Sequence, residues 1–312
     1  MATALPPFGP YMSLYLAGFI EDAEGPLMES PGLYHVGVAA TVLSGVVGPV
    51  ITVPAWGGHL YPCLYTLLLG KSTTHRKTTA IKHGVNHLLR AVPAGLRMDL
   101  APDDISREGL VQWLESNPHG FAVHDEMLDL LSVAGGAGWN RSLLPFLMAI
   151  HDQRVDFVQR RAKRKGNRDE KVEHSLQNPL LTFIAGCNLE GFENFEDSLT
   201  HWNTGLWARF LIFMPGSLDA DHVSIHYEPP PVYALDTRPP DPEVVKKLVE
   251  LLIERREHGT QVGRIKGASS EARQILKGFE DFVRQRSKAH PRVPSASYAR
   301  IIAETLKMAT LM

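Results

Sequence analysis

Short apolar runs alternate with helical segments between residues 60 and 214, and few protein architectures accommodate that order. The apolar runs favour strands, and they cover residues 60–69, 121–123, 180–185 and 210–214. Helices are predicted between them, over residues 77–90, 107–116 and 142–151. Strands that alternate with helices favour a mostly parallel sheet with helices on both faces. The sequence therefore predicts a three-layer α/β fold.

An uncharged stretch, residues 36–53, precedes the first of these strands. Its length is close to the lower limit for a helix that crosses a membrane. Pro49 would interrupt such a helix, and no Lys or Arg flanks it. We therefore predict a buried helix up to about Val47, then a strand, and no membrane span. Residues 1–10 lack the pattern of a signal peptide.

Composition limits the classes of function. The chain has 312 residues, with 32 Lys+Arg against 34 Asp+Glu and a net charge of −2. Any binding to nucleic acid must therefore be local. Cys63 and Cys187 form no C-x-x-C pair, so a disulfide framework is excluded and a structural zinc site is disfavoured. A reducing, cytoplasmic location is predicted.

The composition and pattern of the sequence change on both sides of the α/β region, and four parts are predicted. They are a helical N-terminal lead (1–58), an α/β core (59–216), a proline-rich linker (217–242) and a helical C-terminal segment (243–312). The last predicted helix begins near residue 298 and contains no stop signal. We therefore expect the C-terminal segment to be truncated or to finish at a bare end.

The segment after the first strand has the layout of a phosphate-binding loop. A polar loop follows Gly70, and Lys77-Thr78 then opens a helix. Phosphate binding uses backbone N–H groups at a helix N-terminus, a lysine for the β- and γ-phosphates and a hydroxyl for Mg²⁺. The residues predicted to surround the phosphates are Gly70, Ser72, Thr73, Thr74, His75, Arg76, Lys77, Thr78 and Thr79.

This segment departs from the pattern G-x-x-x-x-G-K-[ST] in two ways. Arg76 occupies the place of the second glycine, and one extra residue separates Gly70 from Lys77. A polar strand–helix turn with a capping threonine is the alternative interpretation.

Two acids, Asp125 and Glu126, follow the second predicted strand. An aspartate at such a strand end can hold Mg²⁺ together with Thr78, and the adjacent glutamate can activate the attacking water. Acids that favour a helix N-terminus are the alternative.

Two more polar side chains occur near predicted strands. Asn188 follows the third strand, where an amide reaches the crevice used by ligands of open α/β sheets and can orient a water. Arg209 precedes the fourth strand, where a guanidinium can neutralise transition-state charge in a neighbouring subunit. The alternatives are a turn residue for Asn188 and an ordinary surface or carboxylate-paired arginine for Arg209.

A basic run, residues 160–171, lies between the acid pair and the Asn188 strand. Its predicted nucleic-acid contacts are Arg160, Arg161, Lys163, Arg164 and Lys165, since Lys and Arg bind phosphates of the backbone. No aromatic residues alternate with these charges, so base stacking is not indicated. A solvated, disordered loop is the alternative.

In chain order, these elements resemble the Walker A loop, Walker B acids, sensor asparagine and arginine finger of an AAA+-type P-loop ATPase. More narrowly, the sequence is similar to an ATPase domain of phage, plasmid and other mobile-element proteins, often found beside a primase–polymerase. The segments that carry the resemblance are Glu29-Ser30-Pro31, Leu60-Tyr61-Pro62, Arg76-Lys77-Thr78-Thr79, Asp125-Glu126, Asn178-Pro179-Leu180-Leu181 and Arg209-Phe210.

The resemblance implies a P-loop NTPase core with ATP and Mg²⁺ as cofactors, ATP hydrolysis, and assembly into a ring-like homo-oligomer. It also implies a role in DNA replication or processing, with hydrolysis driving a helicase-like motor on single-stranded DNA. Two alternatives stay open. One is a nucleotide-sensing scaffold that does not hydrolyse ATP, and the other is a DNA-binding accessory protein with a vestigial P-loop.

Overall fold

The computed structural model describes most of the predicted α/β core and isolated residues after it. The described residues are 30–48, 51–55, 58–71, 75–91, 98–103, 106–135, 142–152, 157–165, 168–194, 205–215, 263–264, 274, 277–278, 281–282, 285 and 307. The linker predicted over 217–242 lies outside them, as do residues 1–29 of the N-terminal lead and most of the C-terminal segment.

Helices and strands alternate along the described part of the chain. The helices are α1 (Gly32–Val47), α2 (Lys77–Ala91), α3 (Arg107–Ser116), α4 (Met127–Gly135), α5 (Leu143–His151) and α6 (Leu189–Asn194). The strands are β1 (Ile51–Ala55), β2 (Gly58–Leu60), β3 (Tyr65–Gly70), β4 (Asp99–Leu100), β5 (His119–His124), β6 (Phe157–Lys165), β7 (Arg168–Leu176), β8 (Leu180–Asn188), β9 (Phe210–Phe213) and β10 (Gly263–Arg264).

Five strands form the central sheet in the order β4-β5-β8-β3-β9, and every neighbouring pair is parallel. The carboxyl ends of β3, β5 and β8 therefore meet at one edge of the sheet, although the chain reaches them at very different points. The predicted α/β fold with a parallel sheet is confirmed. Strands β10, β1 and β2 form a separate small sheet.

Strand β3 is buried along its whole length and contributes side chains to both faces of the sheet. Leu68 packs in a core with residues of α1 and α2, whereas Leu67 and Leu69 pack in a second core with residues of α3, α4 and α5. This alternation follows from the two-residue period of a strand, and it gives the three layers that the sequence predicts.

Local sequence signals explain several helix boundaries. Helix α3 begins where predicted because the Ser106 hydroxyl accepts a hydrogen bond from the Gly109 N–H at 3.2 Å, which satisfies a donor of the first turn. Helix α1 ends at Val47 and β1 follows at Ile51, as predicted. In the described part of the chain, no helix is both long and apolar enough to span a bilayer.

Two predictions differ from the structure. The strand predicted over 60–69 begins only at Tyr65, since Pro62 has no N–H to contribute to a ladder. The basic run at 160–171 is not an irregular loop, because β6 and β7 pair along their length as an antiparallel hairpin. The hairpin joins the main body through α3, where the Glu115 carboxylate accepts a hydrogen bond from the Ser175 N–H at 2.9 Å.

Candidate functional site

The predicted site residues come together at one edge of the central sheet. Gly70, the last residue of β3, pairs in register with Asn188, the last residue of β8. On the other side of β8, His124 pairs with Ala185, so Asp125 and Glu126 leave the sheet at nearly the same level. The loop before α2, the acid pair and Asn188 are therefore neighbours.

Lys77 lies at the first position of α2 and is 8% exposed. Its ammonium donates to the carbonyl oxygens of Gly70, at 2.9 Å, and Lys71, at 3.2 Å. Burial lowers the pKa of Lys77, and the charge of Glu126 partly opposes that shift. The ammonium group therefore lies against the end of β3, and Glu126 is close enough to interact with it.

Gly70 leaves room for two side chains that pack against the end of β3. A Cβ at this position would lie 2.1 Å from the Tyr34 hydroxyl and 2.4 Å from Nδ1 of His75. The Tyr34 hydroxyl also donates to the Leu69 carbonyl at 2.8 Å. The close approach of Tyr34 and His75 to the backbone therefore favours glycine here.

Arg76 has a backbone φ of 48°, in the left-handed region that favours glycine. This is the position at which the phosphate-loop pattern has its second glycine. The chain therefore adopts a glycine-like turn at residue 76 although an arginine is present. The Arg76 and Thr78 side chains are exposed, and Thr79 is partly exposed. Ser72, Thr73 and Thr74 lie outside the described residues.

Glu126 is fixed against the end of β8. Its Oε1 accepts a hydrogen bond from the backbone N–H of Asn188 at 3.2 Å. Burial, followed by the charge and hydrogen bond of Glu126, raises the pKa of the Cys187 thiol to about 12. Gly186 allows this approach, since a Cβ there would lie 2.6 Å from the Asp125 carbonyl oxygen.

The Asn188 side chain has a local role in addition to its place at the site. Its Oδ1 accepts a hydrogen bond from the Glu190 N–H at 3.3 Å, at the start of α6. This is the turn-type interaction that was the alternative for Asn188. Its backbone N–H, and not its amide, is the group that contacts Glu126.

Asp125 is exposed and forms an ion pair with Lys82 of α2. The hydrogen bond from Lys82 to Asp125, reinforced by their opposite charges, raises the pKa of the lysine. Sequence motifs do not single out Lys82. Its spacing of four residues from Thr78 is the signal that could have found it, because residues i and i+4 share a helix face.

Mg²⁺ is compatible with this edge of the sheet. Among the residues that the structure describes, no three His, Cys, Asp or Glu side chains converge as a metal site. Mg²⁺ usually binds through one or two carboxylates together with phosphate oxygens and water. One exposed carboxylate, Asp125, and the exposed hydroxyl of Thr78 fit that pattern.

Arg209 does not have the position of an arginine finger. Its side chain is 6% exposed and binds Asp152 with two nitrogens, the Nε–Oδ1 distance being 2.9 Å, while Nη1 donates to the Gly205 carbonyl at 2.6 Å. A finger needs a guanidinium that reaches a neighbouring subunit. The prediction for Arg209 is therefore corrected to a structural ion pair within its own chain.

The five basic residues predicted to contact nucleic acid all lie on β6. Three of them pair in register with acids of β7, namely Arg160 with Glu173, Lys163 with Glu170 and Arg164 with Asp169. The hairpin follows α5 and precedes β8, so it is inserted between the strand that ends in the acid pair and the strand that ends in Asn188.

A scan against protein-family models finds no match for this sequence, and a search of curated proteins finds no similar one.

Proposed function

We propose that this protein is an Mg²⁺-dependent ATPase of the P-loop type, related to AAA+ ATPases, which acts as a helicase-like motor on DNA. The observation that carries the proposal is the position of Lys77, a buried ammonium at the positive end of a helix.

A cation in this place is electrostatically unfavourable without an anion nearby. The N-terminus of a helix carries about half a positive charge, and α2 has no acid in its first turn. Lys77 and the neighbouring Lys71 add positive charge, and Lys77 is bound by carbonyl oxygens and lies close to the carboxylate of Glu126. A polyanion such as a nucleoside triphosphate compensates this excess of positive charge.

The proposed roles follow from the elements that carry each group. Backbone N–H groups of the loop before α2 and of the first turn of α2 bind the phosphates, with Lys77 at the β- and γ-phosphates. Thr78 and Asp125 hold Mg²⁺, which offsets charge on the phosphates when bound. Lys82 must release Asp125 for this to occur.

Glu126 is the proposed general base. It is partly buried beside Lys77 and oriented by the Asn188 N–H, so its carboxylate is held at the edge where the γ-phosphate would be placed. A carboxylate fixed in this way can accept a proton from an attacking water. The Asn188 amide is the proposed second contact for that water.

Two substitutions test the ATPase proposal directly. Lys77→Ala removes the phosphate contact and is expected to abolish both ATP binding and hydrolysis. Glu126→Gln keeps the shape of the side chain but not the base, so it should bind MgATP while losing about 10²-fold or more in rate. Lys277→Ala, an exposed lysine outside the site, is the matched control. Hydrolysis that survives Lys77→Ala would refute the proposal.

The ion pair between Asp125 and Lys82 favours a second candidate, the scaffold that binds ATP without turnover, because Lys82 occupies the proposed Mg²⁺ carboxylate. Rates measured with and without single-stranded DNA separate the two. Turnover that rises with DNA supports the motor, whereas wild-type binding without turnover under both conditions supports the scaffold.

A further inference from the structure

His75 is completely buried in the turn that leads into α2, with 0% of its surface exposed. Its ring lies against the end of β3, where Nδ1 occupies the space that a side chain at Gly70 would need. Tyr34 packs against it edge-on, with ring centroids 6.4 Å apart. The sequence pattern predicts only that His75 is a polar residue of the phosphate-binding loop, whereas the structure places its side chain in the packed interior.

The contacts of His75 fix which ring nitrogen carries the proton. Nδ1 accepts a hydrogen bond from the backbone N–H of Lys71 at 3.1 Å. An accepting nitrogen carries no proton, so a neutral imidazole has its proton on Nε2. Burial, followed by the charges of Lys77 and Lys71, lowers the pKa of His75, which keeps the ring neutral at pH 7.

The Nε2–H group is a buried donor, and within the described part of the chain it has no hydrogen-bond acceptor. A donor that leaves water on folding needs an acceptor, and one left without it usually indicates an unseen water or ligand. The carbonyls of Gly70 and Lys71, which belong to the same turn, both accept hydrogen bonds from the Lys77 ammonium.

The surroundings of the ring favour an anionic acceptor. Lys71 and Lys77 are both close enough to act on its charge, and the N-terminus of α2, which has no acid in its first turn, adds a positive partial charge. We propose that the Nε2–H of His75 donates a hydrogen bond to a phosphate oxygen of the bound nucleotide. The inference rests on the proposed function, and it assigns to the His75 side chain a phosphate contact beyond those of the loop backbone and Lys77.

Because Nε2 is buried, the phosphate must replace whatever covers this nitrogen, and binding must change the environment of the ring. The competing occupants are a carbonyl oxygen of residues 72–74 and a trapped water. If either of these is the permanent acceptor, a nucleotide does not replace it and the environment of the ring stays the same on binding, which distinguishes these cases from a phosphate contact.

Two isosteric substitutions separate the functions of the ring nitrogens. His75→Asn retains an acceptor near the position of Nδ1 but has no donor at the position of Nε2. His75→Gln places an amide N–H near the position of Nε2. Affinities are measured for ATP, inorganic tripolyphosphate and adenosine by competition with a fluorescent ATP analogue, and urea unfolding of each variant verifies that it folds.

We expect His75→Asn to weaken ATP and tripolyphosphate about tenfold or more, the loss typical of a charge-assisted hydrogen bond. Adenosine affinity should stay the same, and His75→Gln should recover most of the ATP affinity. An Asn variant that binds ATP and tripolyphosphate as wild type does would overturn the inference. If Lys77→Ala loses ATP while His75→Asn does not, only this inference fails, whereas a wild type without ATP affinity overturns the proposed function as well.

A second measurement uses the wild type and does not depend on how the variants fold. In protein labelled with ¹⁵N-histidine, the ring nitrogen shifts should identify the Nε2–H tautomer, and a non-hydrolysable ATP analogue should move the Nε2 signal. A proton on Nδ1, or an Nε2 signal unchanged at saturating analogue, contradicts the proposal.

Discussion

Residue 76 shows how a backbone conformation can be kept while its usual residue is absent. Arg76 has a φ of 48°, which costs a residue with a Cβ about 1–2 kcal/mol and a glycine almost nothing. Strained residues persist where the surrounding structure fixes them and concentrate at functional sites. The position next to Lys77 agrees with that tendency.

The strain at residue 76 predicts a difference between two substitutions that both remove the guanidinium. Arg76→Ala keeps the Cβ and the strain, whereas Arg76→Gly removes both. The glycine variant should be more stable than the alanine variant by up to about 1 kcal/mol, after allowance for the greater entropy of unfolded glycine. Urea unfolding of both variants measures this difference, and an alanine variant of equal or greater stability would argue against a left-handed turn.

The ion pair of Arg209 predicts a large loss of stability in Asp152→Asn. Asp152 is 20% exposed and Arg209 is 6% exposed, so the substitution leaves a buried guanidinium without its counterion. Breaking such a pair costs about 3–5 kcal/mol. Urea unfolding at pH 7 measures the loss, and a cost below about 1 kcal/mol would show that the buried guanidinium does not depend on the negative charge of Asp152.

The same pair predicts how stability depends on pH. Burial alone would raise the pKa of Asp152, but hydrogen bonds and charge from His151 and Arg209 hold that pKa well below its ordinary value of 3.8. The unfolded chain therefore takes up this proton first, and the stabilising contribution is lost as the pH falls below about 4. Between pH 5 and pH 2.5, the free energy of unfolding should fall less steeply with decreasing pH in Asp152→Asn than in wild type. Equal slopes of the two proteins would contradict this account.

At the scale of single elements, the register of the β6–β7 hairpin separates two sets of basic residues. Alternate residues of a strand share a face, so Arg161, Lys163, Lys165 and Arg168 belong to one face, where Glu170 is the single acid. On the other face, Arg160 and Arg164 lie opposite Glu173 and Asp169, and Lys171 is the third basic residue. The first face therefore carries the larger net positive charge.

This difference predicts which charges bind single-stranded DNA. Arg161→Gln with Lys165→Gln, two positions that do not lie opposite an acid, should lower the slope of log K against log salt concentration by about 1.4, since each lost phosphate contact removes about 0.7. Arg160→Gln with Arg164→Gln removes the same charge from positions opposite acids and should change the slope much less. Fluorescence anisotropy at several salt concentrations measures both. Equal effects of the two pairs would reject the assignment of faces.

The contact between β8 and the acid pair depends on Gly186. A Cβ there would meet the backbone oxygen of Asp125 at 2.6 Å, and a backbone atom cannot move away without displacing Glu126. Gly186→Ala should therefore destabilise the protein by about 1–3 kcal/mol and reduce ATPase activity. Gly278→Ala is the control, because that exposed helical position has no atom within 4 Å of a new Cβ and should gain about 0.4–1 kcal/mol. Thermal unfolding and ATPase rates compare the two.

The elements that sequence reasoning predicted well are those with local signals. Helix α3 has a capping serine, and α2 begins at the lysine that follows a polar loop. The hairpin lacks such a signal, because its strands consist mostly of charged residues without apolar alternation. Its pairing and its contact with α3 through Glu115 and Ser175 stabilise it instead. The sequence also gives no signal for the ion-pair partner of Arg209, since Asp152 lies far from it in the sequence.

For the whole molecule, the candidate site is a product of sheet topology. Gly70, Asn188 and the acid pair are brought to one edge only because β8 inserts between β3 and β5. Sequence spacing predicts which strand ends carry polar groups, but it does not give the strand order. Unfolding of the sheet therefore disperses the site completely, and a ligand that needs all three strand ends binds the folded state alone.

That dependence predicts a linkage between nucleotide and global stability. At an MgATP concentration about 100 times its Kd, the free energy of unfolding should rise by about 2.7 kcal/mol. The urea midpoint should increase while the slope of free energy against urea stays constant, because the ligand does not change the surface exposed on unfolding. Lys77→Ala should show no increase, and Lys277→Ala should match wild type. A midpoint that is insensitive to MgATP in the wild type would mean that the edge formed by β3, β5 and β8 is not a nucleotide site, because a ligand specific for the folded sheet must stabilise it.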